Sequence, residues 1–84
     1  MSWYLYVLEC ADSTLYTGIT TDCERRLHEH NHTARGARYT RARRPVSLLA
    51  TWSYADRAEA SRAEHAFKAL DRTAKLRRID DGER

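Results

Sequence analysis

The feature that most constrains this chain is a pair of apolar runs lying three residues apart near its start. Residues 3–10 (WYLYVLEC) and 14–20 (TLYTGIT) are aromatic, aliphatic and β-branched, the composition of buried strands. Between them sits Ala11-Asp12-Ser13, a turn-forming cluster. Two runs joined so closely are expected to pair as a hairpin, and a hairpin needs further elements to hold it in water. Gly18, inside the second run, signals a bulge or a close backbone approach.

The remaining elements follow from caps and breakers. Asp22 is placed to cap a helix over about 23–31. Residues 32–44 are basic and interrupted by Gly36, with room for a helical turn or two before Pro45 ends the stretch. Residues 46–54 (VSLLATWSY) read as a third strand. Asp56 caps an Ala-rich helix over about 57–70. Asp71 or Thr73 starts a last helix to about 79, and residues 79–84 are expected to fray. The order ββαβαα predicts an α+β chain, a three-stranded antiparallel sheet flanked by helices, as a single domain over 1–84.

A chain of 84 residues buries a small core, so any site should lie in a shallow groove. The formal net charge is only +3, but its distribution is uneven. Residues 1–23 hold Glu9, Asp12 and Asp22 and no base, whereas residues 24–46 hold seven Arg against Glu24 and Glu29. Arg35, Arg38, Arg41, Arg43 and Arg44 have no acid among them and Tyr39 between them, a pattern suited equally to phosphate contact with a stacking aromatic or to a solvated loop. Cys10 and Cys23 form no CxxC pair. No signal peptide is legible, so reduced thiols and a cytoplasmic location are expected.

Single residues speak softly. Cys23, Arg26, Leu27 and His30 share a face of the first helix, which would bring a guanidinium and an imidazole toward the sheet. Arg26 snorkelling to water and His30 packing are the bland alternative. Glu64 borders the stripe Ala60, Ala63, Phe67 and Leu70 and stands four residues before Lys68. An exposed ion pair competes there with a carboxylate at a groove edge. Tyr4 and Tyr6 share a sheet face, and Tyr16 lies on the second strand. His28, His30 and His32 do not share one helix face, so a zinc site is poorly supported.

Taken in order, these residues resemble the GIY-YIG nuclease superfamily. Tyr4-Leu5-Tyr6 stands where that family has Gly-Ile-Tyr, and Tyr16-Thr17-Gly18 where it has Tyr-Ile-Gly. WYLYVLECADSTLYTGITTDCERRL, GARYTRARRPVSLL and the helix around Glu64 are most similar to its small stand-alone UPF0213 or YhbQ-like members. The resemblance implies the GIY-YIG fold and a metal-dependent endonuclease that hydrolyses DNA phosphodiesters with low sequence specificity, in repair or recombination. It implies one Mg²⁺ or Mn²⁺ ion on Glu64, Arg26 on the phosphate, and Tyr6, Tyr16 and His30 in proton handling. The resemblance implies a tyrosine hydroxyl as the base, Tyr6 or Tyr16, with its pKa lowered by Arg26 and the metal; in the scheme expected here Tyr6 is the base or hands its proton to a metal-bound hydroxide, Tyr16 orients the water and His30 shuttles the proton. Gly18 is structural at the site. Arg35, Arg38, Tyr39, Arg41, Arg43, Arg44 and Lys68 are the expected nucleic-acid contacts. Tyr4 in place of Gly and the absence of a match to the family's late Asn leave catalytic strength open. A nucleic-acid-binding module without activity is the alternative. Expected partners are nucleic acid, DNA first, and a protein that directs it to substrate, with no membrane.

Overall fold

A computed structural model describes residues 2–81. Strands β1 (Trp3–Glu9), β2 (Leu15–Thr20) and β3 (Ser47–Tyr54) form one antiparallel sheet in the order β2-β1-β3. The β1–β2 hairpin puts Leu5 opposite Ile19, Tyr6 opposite Gly18 and Leu8 opposite Tyr16. β3 pairs with the other edge of β1, with a register shift between Val7 and Leu8.

Because side chains alternate along a strand, this register sorts the apolar residues onto two faces. Leu5, Val7, Ala50 and Trp52 form one core with Phe67 and Ile79, covered by α3 (Arg57–Lys68) and α4 (Arg72–Asp81). Tyr6, Leu8, Cys10 and Val46 form the other, joined by Tyr16, Cys23 and Leu27 beneath α1 (Cys23–His32). The sheet is therefore covered on both sides, and the central strand β1 is buried from Leu5 to Leu8. Cys10 and Cys23 are free thiols.

Asp22, Asp56 and Asp71 each accept a backbone N–H of the helix they precede, from Arg25, Glu59 and Ala74. These caps satisfy donors that a helix start otherwise leaves orphaned. Two ends differ from expectation. α3 stops at Lys68, which leaves Leu70 beyond the helix and exposed. α4 continues through Asp81, with Ile79 buried at 8% exposure. Residues 79–81 are thus helical and anchored by an apolar contact, while residues 82–84 of the expected frayed tail lie outside the described residues.

The basic stretch contains one short helix, α2 (Arg38–Arg41), held against the end of α1. Gly36 allows this approach: a Cβ there would sit 2.7 Å from the Glu29 carbonyl oxygen and 2.8 Å from His30 Cα. Asn31 donates its amide to the Val46 carbonyl at 3.0 Å and accepts from the Val46 N–H at 2.7 Å. No helix among the described residues is long and apolar enough to cross a membrane.

Candidate active site

Tyr6, His30 and Thr40 form a buried polar chain under α1. Their exposures are 3%, 0% and 0%, so their hydrogen bonds are made within the protein. The Tyr6 hydroxyl lies 2.8 Å from His30 Nε2. On the other side of the ring, Nδ1 lies 2.8 Å from Thr40 Oγ1 and accepts the Ala37 N–H at 3.3 Å. A backbone N–H cannot turn away, whereas the Thr40 hydroxyl can rotate toward Nδ1 or toward the Ala37 carbonyl, 2.8 Å from it. The fixed donor keeps Nδ1 unprotonated, so neutral His30 carries its proton on Nε2 and donates it to the Tyr6 oxygen.

Burial and the nearby Arg26 cation hold the His30 pKa down at about 4. At neutral pH the ring is therefore uncharged, and its only proton faces Tyr6. This geometry makes His30 a support for the Tyr6 hydroxyl and disfavours the proton shuttle expected from the resemblance. A test follows from linkage. An unfolded His titrates near its ordinary value of 6.5 and the native ring near 4, so the unfolded chain binds more protons between those values. His30 contributes stability that is complete above the unfolded value and is lost as pH falls toward the native one, by roughly 3 kcal/mol in all. Urea midpoints of wild type and His30→Gln should converge as pH falls across this window. A constant gap would show that the native ring titrates normally.

Tyr6 also departs from expectation. Burial pushes its pKa up to about 12, although Arg26, beside it, pulls the other way. In the free protein it is a phenol at neutral pH. The lowering by Arg26 anticipated from the sequence is present but is outweighed by desolvation, which disfavours the phenolate.

The Tyr6 ring lies over Gly18. A Cβ on Gly18 would stand 2.5 Å from the Tyr6 hydroxyl oxygen and 2.7 Å from Cζ, so bare backbone is what admits the phenol. Tyr16 completes an aromatic cluster: its ring centroid is 6.5 Å from that of Tyr6 and 5.2 Å from that of His30. Arg26 approaches from α1, its Nη1 donating to Glu29 Oε1 at 2.9 Å and to the Arg35 carbonyl at 2.8 Å. Glu64 comes from α3, on the far side of the sheet, and pairs with Lys68 at 3.1 Å. It is close enough for its charge to push the Tyr6 pKa upward. Tyr6, Tyr16 and His30 are thus in contact, with Arg26 beside them, and Glu64, from the helix on the other face, reaches Tyr6 through its charge.

The basic residues divide. Arg35, Arg38 and Arg41 are exposed, and Tyr39 is 38% exposed. Arg43 donates to Asp12 at 3.0 Å and to the Tyr39 carbonyl at 3.0 Å, and its guanidinium lies 3.8 Å from the centroid of the Tyr39 ring. Arg44 donates to the carbonyls of His30 at 2.6 Å and Thr33 at 2.5 Å. It thereby satisfies orphan carbonyls at the end of α1. Arg44 has an internal structural task in place of the phosphate contact expected, and Arg43 is largely engaged as a brace.

A family model described as the GIY-YIG catalytic domain matches residues 2–77. The chain belongs to the GIY-YIG family. Among curated relatives, a UPF0213 protein of Desulfotalea psychrophila is 55% identical over 74 residues, covering 88% of this chain and 67% of that protein. A UPF0213 protein of Streptococcus agalactiae is 59% identical over 73 residues, 87% of this chain and 82% of its own length. Solved structures agree. The UPF0213 protein BH0048 of Bacillus halodurans superposes with a TM-score of 0.62 at 44% identity, covering 95% of this chain and 84% of that one. The protein EF2693 of E. faecalis gives 0.63 at 43% identity, covering 100% and 92%. This GIY-YIG domain therefore falls in a superfamily of nucleases, proteins that act on nucleic acid.

Sequence reasoning missed Thr40 and the Ala37 amide as partners of His30. They lie ten and seven residues away, and no periodicity links a loop to a helix across such a gap. Gly36 in the basic loop was the one available signal of close approach, and it was read only as an interruption.

Proposed function

We propose that this GIY-YIG domain hydrolyses phosphodiester bonds in DNA with the help of one divalent cation. The grouping of Tyr16 and Arg26 about Tyr6, with Glu64 near enough to act on it through its charge, supports this reading most strongly. Phosphodiester hydrolysis needs charge stabilisation on the phosphoryl oxygens and management of protons at the attacking and leaving oxygens. Arg26 is permanently charged, and its planar fork suits the non-bridging oxygens of a phosphate. The Glu29 and Arg35 contacts fix one end of that fork. Tyr6 holds a proton at its hydroxyl while accepting one from His30, and in this reaction it turns that proton to an oxygen of the substrate. Tyr16, packed against both rings, orients the attacking water in this reading.

The donors present fit a weakly held hard cation. Among the described residues no cluster of three or more His, Cys, Asp and Glu side chains could cage a metal. Glu64 is a single carboxylate with 24% of its side chain exposed. Mg²⁺ is commonly held in this way, by one or two carboxylates with waters and substrate phosphate completing the shell. Bound there, Mg²⁺ or Mn²⁺ would neutralise phosphate charge and lower the pKa of groups beside it. Lys68 would then be released from Glu64 to meet the phosphate.

The deciding experiment incubates the chain with labelled single-stranded, duplex and branched DNA in Mg²⁺, Mn²⁺ or EDTA. Cleavage that requires the metal and is stopped by EDTA is expected. Binding at about 50 mM salt without cleavage would establish the binding-module alternative, since phosphate contacts persist at low salt. Repair or recombination, with a protein partner supplying the target, is the setting we propose for such a compact activity.

A further inference from the structure

A groove of about 210 Å³ opens beside this centre, lined by Leu15, Tyr16 and Thr17 of β2, Tyr39 of α2, Lys68 of α3 and Lys75 of α4. It crosses the free edge of β2. Two amines line it and no carboxylate does. We propose that this groove is a nucleotide subsite, taking one unpaired nucleotide that flanks the scissile phosphate, with its own phosphate between Lys68 and Lys75 and its base against Tyr39.

Three observations carry this assignment. First, the groove shares walls with the centre. Lys68 lies 3.1 Å from Glu64, and the Tyr16 ring touches that of His30 edge-on. A strand whose phosphate sits at Arg26 therefore delivers its next nucleotide here.

Second, the aromatic wall is braced. Tyr39 stacks on Tyr16 with an interplanar angle of 27°. Arg43 lies over the ring and is itself tied to Asp12 in the β1–β2 turn. With Tyr16 and Arg43 against the ring, what Tyr39 offers a base is its exposed edge, a fixed surface whose ordering on binding costs little entropy.

Third, size selects the occupant. The volume is below the roughly 300–1,000 Å³ of ordinary small-molecule sites, so the groove seats one nucleotide at most, with part of it left in solvent. A base inside a duplex is paired at its edge and stacked on both faces, so only an unpaired base can reach Tyr39. The groove accordingly favours single-stranded, frayed or branched DNA over continuous duplex.

The subsite rests on the nuclease reading only for which phosphate is cut; binding can be tested without cleavage. The probe is thymidine 3′,5′-bisphosphate, titrated in EDTA and followed by NMR of wild type, Lys75→Gln, Tyr39→Ala and Glu64→Gln. Tyr39 ring and Lys75 side-chain resonances should move. Lys75→Gln should weaken binding by about three- to tenfold, and Tyr39→Ala by about fivefold or more. Glu64→Gln should bind at least as well as wild type, because a repelling carboxylate is gone. Shifts confined to other surfaces, or wild-type affinity in both Lys75→Gln and Tyr39→Ala, would overturn the proposal. Binding here in a protein that cuts nothing leaves the subsite standing and removes the nuclease reading. Metal-dependent cleavage with no bisphosphate in the groove does the reverse. Gel-shift affinities add the choice of strand: Tyr39→Ala should weaken single-stranded more than duplex oligonucleotides, and equal losses would refute the preference for an unpaired base.

Discussion

Replacing Glu64 by Gln is expected to lower metal-dependent cleavage by about two to three orders of magnitude, the usual consequence of removing one group that stabilises transition-state charge. Gln keeps the shape and the hydrogen-bonding oxygen but lacks the negative charge that draws a hard cation. The fold should survive. Glu64 is partly exposed, and its bond to Lys68 joins residues four apart on one helix face, a type of pair worth only about 0.3–0.5 kcal/mol. Affinity for DNA in EDTA should stay the same or rise, because the substitution removes a charge that repels phosphate and frees Lys68. Cleavage, thermal unfolding and gel-shift binding measured on the same preparation separate these effects. Undiminished cleavage by Glu64→Gln would remove Glu64 as the metal's ligand, and lost binding would point to damage beyond the carboxylate.

Gly18→Ala should damage both stability and activity through a single methyl group. Its Cβ would meet the Tyr6 hydroxyl oxygen at 2.5 Å, Cζ at 2.7 Å and Cε2 at 3.0 Å. A flexible surface side chain would swing aside, but the Tyr6 ring is 3% exposed and its hydroxyl is bonded to a fully buried His30. Either the hairpin separates locally or the phenol leaves His30 Nε2–H without a partner. Overpacking of this kind costs about 1–3 kcal/mol, and each kcal/mol lowers the melting temperature of a domain this size by about 4–8 °C. Activity should fall further than stability accounts for, because the displaced atom is the one proposed to face substrate. Urea unfolding and cleavage rates check both parts. In a Tyr6→Leu background the stability cost of Gly18→Ala should shrink, since neighbours that clash couple in a double-mutant cycle. An unchanged cost would mean that the glycine serves the strand backbone and not the tyrosine.

The nuclease reading also has to accommodate a chemistry that the free protein does not yet display. A phenol with a pKa near 12 and a histidine near 4 leave neither group poised at neutral pH. Efficient general bases titrate close to the working pH. The buried Tyr6–His30–Thr40 chain therefore acts first as a scaffold. It fixes where the Tyr6 oxygen sits, and in the proposed reaction the charge that activates it arrives with substrate.

Much of the fold was legible in the chain itself. Asp22, Asp56 and Asp71 were readable as caps because capping depends on a side chain two or three residues from its partner. The hairpin was readable because alternation and a turn cluster act over a few residues. The resemblance of Tyr4-Leu5-Tyr6, Tyr16-Thr17-Gly18, Arg26, His30 and Glu64 to the GIY-YIG pattern named the family, which the match over residues 2–77 shows. What tertiary structure alone decided was the electrostatic state and the company of those residues. Burial raised Tyr6 against the pull of Arg26, and whether desolvation or a neighbouring charge wins depends on the depth of packing, which no local pattern records. Arg44 turned inward to the end of α1 while Arg35, Arg38 and Arg41 stayed in solvent, although all four read alike in sequence. Ile79 held the last turn of α4 because it packs into the core that Leu5 and Val7 build on that face of the sheet. Local interactions are written in neighbouring residues; burial and long-range partners exist only once the chain has folded.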